Sequence, residues 1–165
     1  GCGIARLGEH LSSDFSHYVG VDISAPHLAL AEQRLALLGR TNTRLLLLTE
    51  FLDETPSYDC LYSILVLQHN PPPVMSALLT QLLSGLAAGG IAYFQLPCAI
   101  MGYAFEAAPY IAASNDVGSM EMHVLPQQHV FNLLRESDCE LIEVLQDGKI
   151  GPIGRSFTFV AQKRS

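Results

Sequence analysis

The chain has 165 residues, 49% hydrophobic and 15% charged, which is enough apolar material for the core of one domain and too much for a disordered chain. Its net charge is −7 and its nine Lys and Arg are scattered, which excludes nucleic acid as the main partner, because neutralising phosphates needs a basic patch. No apolar run reaches the roughly 18–20 residues of a membrane helix, and the four cysteines, 38 or more residues apart, lack metal-finger spacing.

Gly1-Cys2-Gly3 opens the chain, and residues 4–11 predict a short helix after it. Residues 18–23 are a β-rich run that reaches an acid, Asp22. Ser24 then offers a helix cap, Pro26 suits a first turn, residues 27–38 carry apolar side chains at helical spacing, and Gly39 is a natural stop. Residues 45–48 form a continuous apolar run short enough for a buried strand. The polar segment 50–58 leads into a third strand at 59–64.

The proline run at 71–73 cannot continue a strand, and 74–86 reads as an amphipathic helix. Gly89-Gly90 turns the chain into a fourth strand at 91–96. After Pro97 the pattern breaks, and 98–122 is irregular, rich in Ala and aromatics, and longer than an ordinary connection. A helix follows at 127–137, then strands at 140–146 and 156–162 joined by the Gly-rich stretch 147–154. With no helix between them, the last two strands predict an antiparallel hairpin. The whole predicts one α/β domain over 1–165, with a doubly wound, mostly parallel sheet and right-handed crossovers.

The strongest chemical feature is Gly1-Cys2-Gly3 together with Asp22. Bare backbone at a strand mouth lets a ligand approach, and an acid ending the next strand can accept both hydroxyls of a ribose. The 19 positions from Gly3 to Asp22 also approach the spacing of nicotinamide-binding oxidoreductases, although Arg6 stands where those proteins need a small residue. A third reading is a non-catalytic binding or regulatory module that keeps the fold.

Taken together, GCGIAR, VGVDIS, YDCLYSILVLQH and GGIAYFQLP resemble, in order, the motifs of class I S-adenosylmethionine-dependent methyltransferases. The resemblance covers nearly the whole chain, most firmly residues 1–96. It implies a Rossmann-like methyltransferase fold with a C-terminal antiparallel hairpin, S-adenosyl-L-methionine as cofactor, and methyl transfer to a small-molecule or protein nucleophile. It implies cofactor contacts from Gly1, Cys2 and Gly3, from Asp22 and Ile23, from Glu50 and Phe51, and from Ser63 and Ile64. It also implies an acceptor-side insertion at 97–125.

Three positions depart from the family pattern. The first strand and the acid before the glycine loop are missing, so the chain reads as a fragment of a longer protein. Ala5 replaces a third glycine, and Glu50 stands where aspartate is usual. His69 suits a general base or a structural helix-start histidine. His123 and His129 read as surface or packing residues, while Tyr103, Phe105 and Tyr110 suit either an acceptor pocket or packing. No metal triad is expected. Three cysteines in apolar runs read as buried thiols of a cytoplasmic protein. The expected partner is a small-molecule acceptor, with neither nucleic acid nor membrane.

Overall fold

The computed structural model describes residues 1–113 and 120–165, so positions 114–119 of the predicted acceptor-side segment lie outside it. The described residues group into two compact units, Gly1–Pro56 and Ser57–Ser165.

The first unit holds helices α1 (Gly8–Asp14), α2 (Ala25–Leu37) and α3 (Leu48–Glu54) around strands β1 (Tyr18–Asp22) and β2 (Thr43–Leu47). The strands pair in parallel with Tyr18 opposite Thr43 and Asp22 opposite Leu47, so their carboxyl ends are level. Helix α2 begins as its sequence predicts, with the Ser24 hydroxyl accepting from the His27 N–H and proline in the first turn.

Helix α1 starts four residues later than predicted. Ala5, buried at φ 56°, turns the chain through a left-handed step first, its N–H donating to the Cys2 carbonyl at 3.0 Å. Gly8 then opens the helix where a Cβ would lie 2.7 Å from the Tyr18 ring, so only glycine lets α1 sit this close to β1. The far end of α1 is tied by Asn42, whose side-chain amide donates to the Ser12 and Phe15 carbonyls at 2.9 Å each. The segment expected to be a polar connection is instead α3, seven residues with Phe51 as the buried one.

The second unit carries β3 (Tyr58–Ser63), α4 (Pro72–Ser84), β4 (Leu86–Ile100), α5 (Ala107–Ala113), α6 (Gln127–Glu136), β5 (Cys139–Asp147) and β6 (Gly154–Lys163). Its sheet order is β3-β4-β6-β5, with β3 and β4 parallel and the other pairs antiparallel. The terminal hairpin is therefore present, with β6 inside the sheet and β5 at its edge. The parallel strands fall into two sheets, β1-β2 and this one, where the sequence reading expected one.

Strand β4 runs through Pro97 to Ile100, past the predicted stop. A proline is tolerated there because β3 has already ended opposite Phe94, and a register shift between Pro97 and Ala99 kinks the strand. The core lies between the sheet and helices α4 and α6, with Leu79, Leu83, Val130 and Leu134 packed in one cluster with Phe94, Leu96 and Phe159. Phe94 and Phe159 face each other across β4 and β6 and stack with centroids 5.2 Å apart. Burying each ring contributes roughly 1.5–3 kcal/mol. At the hairpin, Asp147 accepts from the Ser156 and Thr158 hydroxyls, which satisfies polar groups buried at its base.

Of the cysteines, only Cys139 is buried; Cys60 is exposed because it lies on the outward face of β3, and Cys2 and Cys98 are half-buried, all four as free thiols. Among the described residues no helix is long and apolar enough to cross a membrane.

Candidate functional site

In the first unit the glycine loop and the end of β1 are hydrogen-bonded to each other. The Gly3 N–H donates to Asp22 Oδ2 at 2.7 Å, and the Ser24 N–H donates to Asp22 Oδ1 at 3.0 Å. The Cys2 N–H continues the link, donating to the Val21 carbonyl at 2.8 Å. Asp22 is only 6% exposed, and each of its carboxylate oxygens accepts one backbone N–H. Burial pushes its carboxyl upward, but the bonds from Ser24 and Gly3, together with the positive charge of the amino terminus and His27, hold it below the usual carboxylate range.

Two N–H bonds leave acceptor capacity on a carboxylate that has about four lone-pair sites. Gly3 has φ +54° and nothing within 4 Å of the place a Cβ would occupy. Its backbone is therefore open to a ligand at the point where it touches the acid. Such a cradle fits a group carrying vicinal hydroxyls. Gly1 is exposed and Cys2 half-buried, its thiol pushed up by burial; Ile23 is 81% exposed beside Asp22.

Glu50 and Phe51 stand at the end of the neighbouring strand, but they serve α3. Glu50 Oε2 accepts from the Leu47 N–H at 2.7 Å and so closes the helix N-terminus, while Phe51 is buried. Register places Leu47 opposite Asp22, so Glu50 follows three residues beyond that level and has a different duty.

In the second unit Ser63 is buried at the last position of β3, followed by half-buried Ile64. His69 ends a 3-10 turn over Leu67–His69, and its Nδ1 lies 2.7 Å from the Glu121 carbonyl. A carbonyl only accepts, so Nδ1 carries the proton and Nε2 keeps a lone pair in the neutral ring.

Two features here had escaped the sequence reading. Leu65 sits at φ 58°, a strained conformation for a leucine, and its N–H donates to Gln95 Oε1 at 3.1 Å. Gln95 is buried, and among the described residues its Nε2 has no partner. His123, expected at the surface or in packing, is buried and hydrogen-bonded to Glu121 and Tyr103. A chain separation of 20 residues hides that last pair from any local pattern.

The sequence pattern of the methyltransferase domain matches residues 1–92. No curated protein matches the chain. Among solved structures, magnesium protoporphyrin IX methyltransferase from Synechocystis with bound SAH is similar, with TM-score 0.73 and 17% identity, over 99% of this chain and 71% of that one. A SAM-dependent methyltransferase from Methanosarcina mazei has TM-score 0.66 and 17% identity, over 99% of this chain and 90% of that one. The [4+2]-cyclase SpnF has TM-score 0.71 and 13% identity, over 99% and 73%. Likeness at these identities speaks to the fold, which is the α/β Rossmann-like methyltransferase architecture. The pattern match covers the glycine loop, Asp22 and the end of β3 together, and the chain belongs to the methyltransferase-domain family.

Proposed function

We propose that this chain transfers the methyl group of S-adenosylmethionine to a nucleophile on a small molecule. The observation that carries the reading is the 2.7 Å bond between the Gly3 amide and the Asp22 carboxylate, which puts bare backbone and a buried acid at one place. The sulfonium of the cofactor already makes its methyl group electrophilic, so the protein's task is alignment and exclusion of water.

Asp22 accepts the ribose hydroxyls through its remaining lone pairs, while the Gly1-Cys2-Gly3 backbone passes close to the ligand without side-chain clash. Ile23 covers one side of the adenosyl group. Ser63 and Ile64, at the end of β3, are the further contact positions that the family pattern implies, whereas Glu50 and Phe51 are taken up by α3. His69, its Nδ1 bonded to the Glu121 carbonyl, takes the structural of its two roles and holds the segment that follows β4. Residues 97–125 form the acceptor side. The acidic balance, net charge −7 with nine scattered Lys and Arg, favours a small-molecule or protein acceptor over nucleic acid, and the free thiols suit the cytoplasm.

Calorimetric titration with S-adenosylhomocysteine tests this reading. Binding is expected for the protein and is weakened about 100-fold by Asp22→Ala, the equivalent of one to two charge-assisted hydrogen bonds. Equal affinity in that variant overturns it.

A further inference from the structure

The segment after β4 holds a polar network that none of the cofactor residues uses. His123 is 7% exposed, with both ring nitrogens engaged. Its Nε2 lies 2.9 Å from Glu121 Oε2 and its Nδ1 lies 2.9 Å from the Tyr103 hydroxyl. An ionised carboxylate only accepts, so in the neutral ring Nε2 carries the proton and Nδ1 is a lone pair that receives the Tyr103 O–H. The Val124 backbone also bonds the Tyr103 oxygen, and the Tyr110 hydroxyl donates to Glu121 Oε2 at 2.7 Å. Bonds from His123 and Tyr110 hold the Glu121 carboxyl below its ordinary range, so it stays an anion.

The backbone fixes where this network stands. His123 N–H donates to the Gln68 carbonyl at 2.8 Å, and Leu125 N–H donates to the Pro97 carbonyl at 3.0 Å. The segment therefore runs from the loop after β3 to the last third of β4, past the carboxyl end of the parallel pair, where doubly wound folds receive ligands. Tyr103, Phe105 and Tyr110 are half-buried and stand edge-on to the imidazole, with centroids 6.1, 5.8 and 5.6 Å away. Such edges and faces suit another aromatic ring.

We propose that Tyr103, His123 and Glu121 form a proton relay that deprotonates a phenolic acceptor held against Phe105 and Tyr110. The proposal rests on the methyl-transfer reading. The acceptor hydroxyl gives its proton to Tyr103 Oη as the Tyr103 proton passes to His123 Nδ1, and the resulting imidazolium is paired with Glu121. A lone pair of the acceptor oxygen forms the new O–CH3 bond. The C–S bond breaks with its electrons remaining on sulfur, so sulfonium becomes neutral sulfide, and His123 later returns the proton to water through Tyr103. A phenolic acceptor is favoured over an aliphatic alcohol because the net transfer ends on His123, and a phenol, far more acidic than an alcohol, gives up its proton to an imidazole at much smaller cost. Tyr103 is the member that touches substrate; His123 and Glu121 act through it.

The test uses para-nitrophenol, a phenol whose ionisation is visible in its absorbance, added without cofactor. The protein should bind it and lower its apparent pKa by about one unit, a roughly tenfold larger ionised fraction on the acid side. Tyr103→Phe and His123→Gln should bind the probe without that shift, and Tyr103→Phe, which removes one hydroxyl, decides the matter if His123→Gln does not fold. A probe that fails to bind, binds without a shift, or shifts equally in Tyr103→Phe overturns the relay. S-adenosylhomocysteine binding measured on the same samples separates the two readings: intact cofactor binding with no phenol shift removes only the relay, and absent cofactor binding removes methyl transfer itself.

Discussion

Asp22 ends β1, and Glu50 lies three residues past the level end of its partner β2, in the first turn of α3; both are acids, yet their surroundings differ in kind. Asp22 is buried and takes amides from a loop 19 residues away and from its own turn. Glu50 is exposed and takes one amide three residues before it, at the start of its own helix. An acid at a strand end is therefore not a binding site by position alone. What marks one is a long-range partner and a bare backbone beside it.

The largest expected contrast is in stability. Asp22→Ala leaves two amides without their charged partner and should lower unfolding free energy by about 3 kcal/mol, against about 1 kcal/mol for Glu50→Ala, as read by urea denaturation. Similar losses in both variants would erase the distinction. Acid sharpens it further. Because the Asp22 carboxyl is depressed in the folded state, its contribution is complete above roughly pH 4, the unfolded value, and is lost as pH falls through the folded value. Asp22→Asn should therefore flatten the acid limb of the stability–pH curve.

The smallest expected effect lies in the loop itself. Ala5→Gly relieves a left-handed alanine but removes a buried methyl and adds freedom to the unfolded chain. These offset, so the change in thermal unfolding should correspond to less than about 1 kcal/mol. A larger gain would show that strain at position 5 is a reserve held by the loop.

Much of this architecture was legible from residues alone, where local chemistry and tertiary role agree. Ser24 and Pro26 start α2 as expected, and the paired terminal strands form the hairpin. The reading failed where they part. Helix α3 has one buried side chain in seven residues, too weak a periodicity to see, and β4 crosses a proline because its neighbour has ended. The Gly3–Asp22 pair could be anticipated from its spacing. The Tyr103–His123 pair could not, since nothing periodic joins residues 20 apart, although Glu121 and His123, only two apart, also meet.

The central claim is that the Asp22 carboxylate and the loop amides bonded to it form one adenosyl cradle. Amide-resolved NMR during titration with S-adenosylhomocysteine tests it most directly. The Gly3, Ile23 and Ser24 amides should shift together along one binding curve, and Asp22→Asn should abolish that response. Saturable binding that leaves those three amides unmoved would contradict the account.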